Sequence, residues 1–201
     1  MENDNSKIIR EVREHKERIR GIMEEITELE KHFYTVMDSK DKFHELNDIK
    51  TECDAALDEI AKILDTDPQR IVNLLATLDE MKKSSEPGPH DEHCAHTPDY
   101  FDSADKICAQ IKLLQDHQAK LQKIDGDFAN REDRVDELIA KSRQVDDNAG
   151  LDGVIVDFKK ELATIQKMQK IANDTHDTVK KLEEELHDCG IPISVGKRLD
   201  D

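Results

Sequence analysis

The chain has 201 residues, of which 38% are charged, 36% hydrophobic and only 3% aromatic, and its 30 basic and 47 acidic side chains give a net charge of −17. The scarcity of large apolar side chains argues against a conventional compact domain, and the acidic balance argues against binding to nucleic acid or to anionic membranes. Low hydrophobicity with high net charge is also typical of disorder, but here the hydrophobic residues recur at helical spacing, which favours long helices.

The first predicted element is a helix that starts near Ile8 and contains no proline and a single glycine before Leu64. Its apolar residues alternate in steps of three and four, which is the a/d pattern of coiled coils. This seam consists of Ile8, Val12, His15, Ile19, Ile22, Ile26, Leu29, Phe33 and Val36. A stripe of two positions in seven is narrower than the apolar face of a helix in a globular domain, so it predicts partner helices. The one polar residue, His15, is predicted to set the register.

The seam loses phase in the polar run 38–42 and resumes at Phe43. Two interpretations account for this: a stammer within one continuous helix, or a tight turn that makes a helical hairpin. Because the run contains neither glycine nor proline, we favour a continuous helix.

A break is predicted where two aspartates precede Pro68. Proline suits the first turn of a helix and Asp67 can cap free backbone amides, so we predict a short separate helix over 66–83. The next stretch, 84–97, has two prolines, one glycine and three histidines but no apolar period. It is predicted to be a flexible acidic linker.

A C-terminal helical arm is predicted over 98–189, with joints near Gly126 and Gly150 and a left-handed stop at Gly190. Its helices are placed at about 98–125, 131–146 and 151–188, followed by a tail over 190–201. Apolar residues again step by three and four, and we assign to the partner-helix seam Ile107, Ile111, Leu114, Leu121, Ile155, Phe158, Leu162, Ile165, Val179, Leu182 and Leu186.

The predicted fold is therefore all-α. We expect an elongated coiled coil or helical bundle of long heptad helices, with an N-terminal coiled-coil helix over 1–65 and short helices at the joints. Narrow stripes bury little area to offset the loss of conformational entropy, so an isolated monomer is expected to be marginally stable and to depend on partner helices.

Candidates for chemistry are few. Three imidazoles and a thiol within seven residues are weak candidates for zinc ligands: His90, His93, Cys94 and His96. Structural zinc sites usually combine two separated ligand pairs, and no second pair lies nearby, so we expect no metal and no cofactor. The cysteines, Cys53, Cys94, Cys108 and Cys189, have no CxxC spacing and are expected to be reduced thiols.

Residues 7–20 carry six basic side chains, namely Lys7, Arg10, Arg13, Lys16, Arg18 and Arg20. They are suited to an acidic partner, but spacings such as Glu14 to Arg18 also serve ordinary pairing along a solvated helix, which is the interpretation that we favour.

No enzymatic site is predicted, because no carboxylate pair accompanies a nucleophile, a glycine-rich phosphate loop or an HExxH helix. We expect no catalytic residue and no small-molecule substrate. No stretch reaches the roughly 18–20 apolar residues of a membrane span, and the N-terminus resembles neither a signal nor a transit peptide. The expected location is the cytoplasm.

Three segments resemble the dynactin subunit 3 family, the small light chain of the dynactin shoulder. They are the helix end 57–65 followed by Pro68 and Ile71, the central segment from Cys108 to Gln115 with its continuation at 121–125, and the C-terminal spacing of Val179, Leu182 and Leu186. The similarity covers roughly residues 25–188. The segments 7–20 and 84–97 and the tail after Gly190 depart from the family pattern.

This resemblance implies a non-catalytic structural subunit that bundles with dynamitin and the large microtubule-binding subunit and supports dynein-driven transport. It implies a cytoskeleton-associated location, including centrosome, spindle or kinetochore, and brings no catalytic or cofactor residues. Three alternatives stay open: a subunit of another elongated assembly, such as a kinetochore or vesicle-tethering complex, a metal-responsive regulator acting through residues 90–96, and a self-sufficient homodimeric coiled coil.

Overall fold

The structure is a computed structural model of the chain, and it describes residues 4–84, 101, 103–145 and 147–194. For residues 4–13 it describes the backbone alone. The described part is all-α, with no strand in these ranges, and its three long helices are α1 over Asp4–Ser84, α2 over Ala104–Ser142 and α3 over Asn148–Asp188.

Helices α1 and α3 lie side by side and run in the same direction. Near the start of α3, the Lys42 Nζ atom lies 2.8 Å from Asp152 Oδ2. Further along both helices, Arg70 Nε donates to Glu183 Oε1 at 2.9 Å. Because the residue numbers rise together along the interface, the two helices are parallel.

Helix α2 runs antiparallel to α3. His117, in the first half of α2, contacts Thr175 in the second half of α3. Arg131, further along α2, pairs with Glu161, which lies nearer the start of α3. The described residues therefore form a three-helix bundle in which α2 runs antiparallel to the two parallel helices and packs against both.

One hydrophobic core joins all three helices, and on α1 it begins only at Leu46. Phe158 is its largest fully buried side chain, and the other large ones are aliphatic. These other large, fully buried side chains are Ile60, Ile71, Leu74, Leu78, Ile107, Leu114, Leu138, Val154, Ile165, Val179 and Leu186. Since burial of one such side chain contributes about 1.5–3 kcal/mol, this part of the chain has a substantial core of its own.

Local signals set the ends of α2 and α3. Ser103 accepts a hydrogen bond from the Lys106 amide, and the Asp147 carboxylate accepts one from the Gly150 amide at 2.6 Å, so each caps the start of a helix. Gly190, at φ 68°, takes the left-handed conformation that was predicted for the C-terminal stop.

The prediction of a separate short helix over 66–83 is wrong, because α1 continues through Pro68 to Ser84. Asp67 does not serve as an N-cap: it is completely buried and contacts Arg70 and His176. Proline removes one backbone hydrogen bond from the helix. The helix nevertheless continues across Pro68, because Asp67 before it makes these polar contacts and Ile71 after it packs in the core.

The predicted joint near Gly126 is also wrong, because α2 continues through it without interruption. Ile124 is buried and Phe128 packs against the core, so tertiary contacts on both sides favour the helical backbone. The helices placed at about 98–125 and 131–146 are thus one helix, which begins at Ala104.

Helix α1 is continuous through the polar run 38–42, so the favoured interpretation of that run is confirmed and the hairpin is excluded. The predicted linker 84–97 lies, apart from Ser84, outside the described residues. Of the predicted tail, residues 190–194 are described, and they form no regular secondary structure.

Candidate partner-binding surface

Helix α1 extends far beyond the bundle at its N-terminal end. From residue 14 to residue 38 every residue is exposed except Gly21, and from residue 14 onward the first buried residue is Leu46. We call residues 4–34 the N-terminal extension. At about 1.5 Å per residue it is roughly 45 Å long.

The exposed surface of this helix carries large apolar side chains. Six of them continue the predicted series, and we call these the α1 seam: Ile19, Ile22, Ile26, Leu29, Phe33 and Val36. Each is between 49% and 67% exposed, and Met23, Tyr34, Met37 and Phe43 are exposed beside them. A contiguous apolar stripe on a surface is typical of a protein interaction site. The side chains of Ile8 and Val12 lie outside the described set, and His15 is exposed.

The α1 seam and the bundle use different sides of α1. Where the two overlap, Ser39 hydrogen-bonds to Asn148 and Lys42 pairs with Asp152, whereas Val36 and Phe43 stay about half exposed. Successive helical residues are about 100° apart, so Phe43 points roughly a quarter of a turn away from Lys42. The seam therefore remains open even beside the bundle.

The loss of phase at 38–42 marks the point at which the apolar residues move from one side of α1 to another. Before the run, the apolar series follows the seam. After it, the series follows the bundle-facing side at Leu46, Ile49 and Cys53, which are all buried. One helix thus carries two apolar stripes, one covered by its own chain and one uncovered in the described part of the structure.

The basic residues at the start of α1 lie on solvated surface. Arg20 is paired along the helix with Glu17 and, at 4.0 Å, with Glu24. Lys16 and Arg18 are exposed. The side chains of Lys7, Arg10 and Arg13 lie outside the described set.

The other residues assigned to a partner-helix seam, on α2 and α3, belong to the internal core, so that part of the assignment is wrong. All eleven are buried or partly buried within the chain: Ile107, Ile111, Leu114, Leu121, Ile155, Phe158, Leu162, Ile165, Val179, Leu182 and Leu186. These side chains are covered by α1 and by each other. Of the predicted seam, the part on α1 is therefore the part that is open to a partner.

A polar cluster between α1 and α3 was not predicted from the sequence. The Arg70 guanidinium contacts Asp67 at 2.7 Å and Glu183 at 2.5 and 2.9 Å, and His176 Nδ1 lies 3.0 Å from Asp67 Oδ2. Asp67 also accepts from the Thr66 hydroxyl at 3.1 Å. The hydrogen bonds to Glu183 and Asp67 raise the pKa of Arg70. The cluster fixes the register of α1 on α3, because its groups are satisfied only in this alignment.

His117 forms a second polar contact, in the interface between α2 and α3. Its Nδ1 lies 2.8 Å from the Thr175 hydroxyl, which itself donates to the Ile171 carbonyl at 3.0 Å. Because that hydroxyl has one proton, the ring is the donor in this contact, so Nδ1 of His117 carries a hydrogen. Burial lowers the pKa of His117. This residue supports the fold and lies away from the seam.

The structure gives no support to metal or thiol chemistry in its described part. The weak zinc candidates His90, His93, Cys94 and His96 lie outside the described residues, and no group of three or more potential ligands occurs among those described. Cys53, Cys108 and Cys189 are free thiols. Burial raises the pKa of Cys53 to about 11, so this thiol is unreactive at neutral pH.

None of the helices within the described ranges is long and apolar enough to cross a membrane. This includes α1, whose stripe is interrupted throughout by charged residues.

Comparisons with protein-family models, with curated proteins and with solved structures found no match to this chain.

Proposed function

We propose that the chain is a non-catalytic structural subunit of a multi-subunit cytoskeletal complex. The observation that carries this proposal is the exposed α1 seam on a helix that projects from a bundle with its own core. Exposed isoleucine, leucine and phenylalanine at a and d positions favour association with another helix, because only a partner removes them from water. In this proposal the extension forms a coiled coil with its partner.

The particular complex is proposed from the sequence resemblance to the dynactin subunit 3 family. The chain would then belong to the dynactin shoulder, with dynamitin and the large microtubule-binding subunit as partners, in the cytoplasm on the cytoskeleton. The bundle would serve as the rigid end of the subunit and the extension as its attachment to the shoulder.

Affinity purification of the tagged full-length chain from cells tests this proposal. Dynamitin in stoichiometric amount is the expected result. Its absence would exclude the dynactin assignment, and stoichiometric recovery of kinetochore or vesicle-tethering subunits would transfer the chain to that assembly.

A matched pair of variants tests whether the seam is the attachment surface. Ile26→Glu with Leu29→Glu puts two carboxylates into the seam, whereas Gly21→Glu with Thr27→Glu adds the same charge outside it. The first variant is expected to lose its partners, because buried unpaired carboxylates are costly, and the second to retain them. Equal recovery by both variants would show that partners bind elsewhere.

A further inference from the structure

We propose that the α1 seam pairs with the α1 seam of a second copy of this chain, in antiparallel orientation, about a two-fold axis between residues 27 and 28. This inference rests on the proposed role of the extension as a docking surface, but not on the identity of the complex. In the purified chain, without other proteins, the second copy is the occupant of the seam.

The first argument is the match of apolar layers. In an antiparallel pair an a position faces a d position of the other helix. With the axis between residues 27 and 28, Ile26 faces Leu29 of the second copy. Ile22 likewise faces Phe33, and Ile19 faces Val36 of the second copy. The two-fold axis repeats each contact, so one register covers all six seam residues with apolar partners.

The layers next to these follow the same register. His15 faces Lys40 of the second copy, and beyond them position 12 falls opposite Phe43, whose side chain is 50% exposed. The polar layer at each end marks the register, because a shift by one heptad would place His15 or Lys40 against an apolar residue.

Charge favours the antiparallel over the parallel arrangement. In a parallel pair in register, Glu25 at a g position would face Glu30 of the second copy at an e position, and Lys40 would face Lys40 within the seam. Both contacts are repulsive, and the second would be enclosed. In the antiparallel pair Glu25 lies beside His32 of the second copy, and Glu30 beside Met23. Lys40 then faces His15 and not a second lysine, and its one like-charge neighbour, Lys16 of the second copy, lies at the open edge of the seam.

The bundle leaves room for the second copy. Past residue 38 the seam side of α1 stays exposed at Lys40, Phe43, Asn47 and Thr51, while α3 occupies the side of Ser39 and Lys42. The N-terminal end of the second helix can therefore lie along this open side. The two bundles then stand at opposite ends of the dimer and do not compete for space.

Cross-linking of the purified full-length chain tests the orientation with residues already present. Lys16 and Lys40 are 24 positions apart, so on one straight helix they are separated by about 36 Å, beyond a short amine-reactive cross-linker. The antiparallel pair brings Lys16 beside Lys40 of the second copy, whereas the parallel pair brings each lysine beside its own counterpart. An equal mixture of ¹⁴N- and ¹⁵N-labelled chains identifies the cross-links that join two copies.

The expected result is a dimer by light scattering, with Lys16–Lys40 cross-links between isotopically different chains. Cross-links of Lys16 to Lys16 and Lys40 to Lys40 would overturn the antiparallel orientation. A monomer at high micromolar concentration would overturn self-pairing, yet partner recovery from cells would still decide the proposed function separately.

The variants already described test the surface. Ile26→Glu with Leu29→Glu places carboxylates opposite each other across the axis, and the dissociation constant is expected to rise at least about 100-fold. Gly21→Glu with Thr27→Glu is expected to change it only a few-fold, and unchanged circular dichroism of the bundle shows that both variants fold. If the first variant dimerises as tightly as the native chain, the seam is not the interface. Purified dynamitin, if it binds the seam, is expected to replace the second copy.

Discussion

His117 is 7% exposed in the interface between α2 and α3, and burial is the main cause that lowers its pKa below 6.5. Lys120 lowers this pKa further, whereas Asp174 and Asp116 oppose the shift. The unfolded chain therefore takes up a proton at a higher pH than the folded chain. It follows that His117 makes the free energy of unfolding fall as the pH drops through 6.5 towards the folded-state pKa.

Urea unfolding of the native chain and of the His117→Asn variant between pH 7.5 and pH 5 measures this effect. Asparagine keeps a side-chain donor for Thr175 but does not titrate. We expect the native chain to lose more stability on acidification than the variant does. Parallel pH profiles for the two proteins would show that His117 is not responsible.

A second residue-scale prediction concerns Arg70, which holds the buried carboxylate of Asp67 together with His176. The Arg70→Met variant removes the guanidinium and leaves Asp67 with less compensation, so a loss of about 2–4 kcal/mol in the free energy of unfolding is expected. Arg134 pairs with Glu137 on the exposed surface, and Arg134→Met is the matched control with an expected change below about 1 kcal/mol. Equal losses would mean that the Asp67 cluster contributes no more than a surface pair.

At the scale of the element, two glycines near the start of α3 differ in their surroundings. A Cβ atom at Gly150 would lie 2.4 Å from Val145 Cγ1 and 2.9 Å from Asp147 Oδ1, whereas at Gly153 nothing lies within 4 Å. The close approach at Gly150 lets the Asp147 cap close on the first turn of the helix.

Alanine substitution separates these two cases by thermal unfolding. Gly150→Ala is expected to destabilise the chain, by about 1–3 kcal/mol, because the Val145 side chain and the cap must move. Gly153→Ala is expected to stabilise it by about 0.5–1 kcal/mol, since alanine favours the helix. A stabilised Gly150→Ala variant would show that the turn between α2 and α3 can adjust to the added methyl group without loss of stability.

The elements also show how far local sequence signals reach. Apolar residues in steps of three and four predicted helical structure along α1, α2 and α3, and the absence of glycine and proline predicted that α1 continues through 38–42. The breaks predicted at Pro68 and Gly126 failed, because local preferences of about 1–3 kcal/mol were outweighed by packing of Ile71, Ile124 and Phe128.

For the whole molecule, the heptad pattern identified apolar faces but not what covers each face. Ile111 and Ile26 occupy equivalent positions in their patterns, yet Ile111 packs against the core of the chain and Ile26 is 49% exposed. The difference depends on where α2 and α3 dock along α1, and for α3 this involves residues more than a hundred positions apart. The contact of Arg70 with Glu183 was unpredictable for the same reason.

At the largest scale, the described part of the chain is a three-helix bundle with its own core, and we expect its projecting helix to dock through the α1 seam. Hydrogen exchange of the full-length chain tests this docking most directly. The native chain is compared with the Ile26→Glu and Leu29→Glu double variant, at a concentration at which the native chain is associated. We expect slower exchange over residues 15–40 in the native chain and equal exchange in the bundle. Equal exchange over residues 15–40 in both proteins, or a difference confined to the bundle, would contradict docking through the α1 seam.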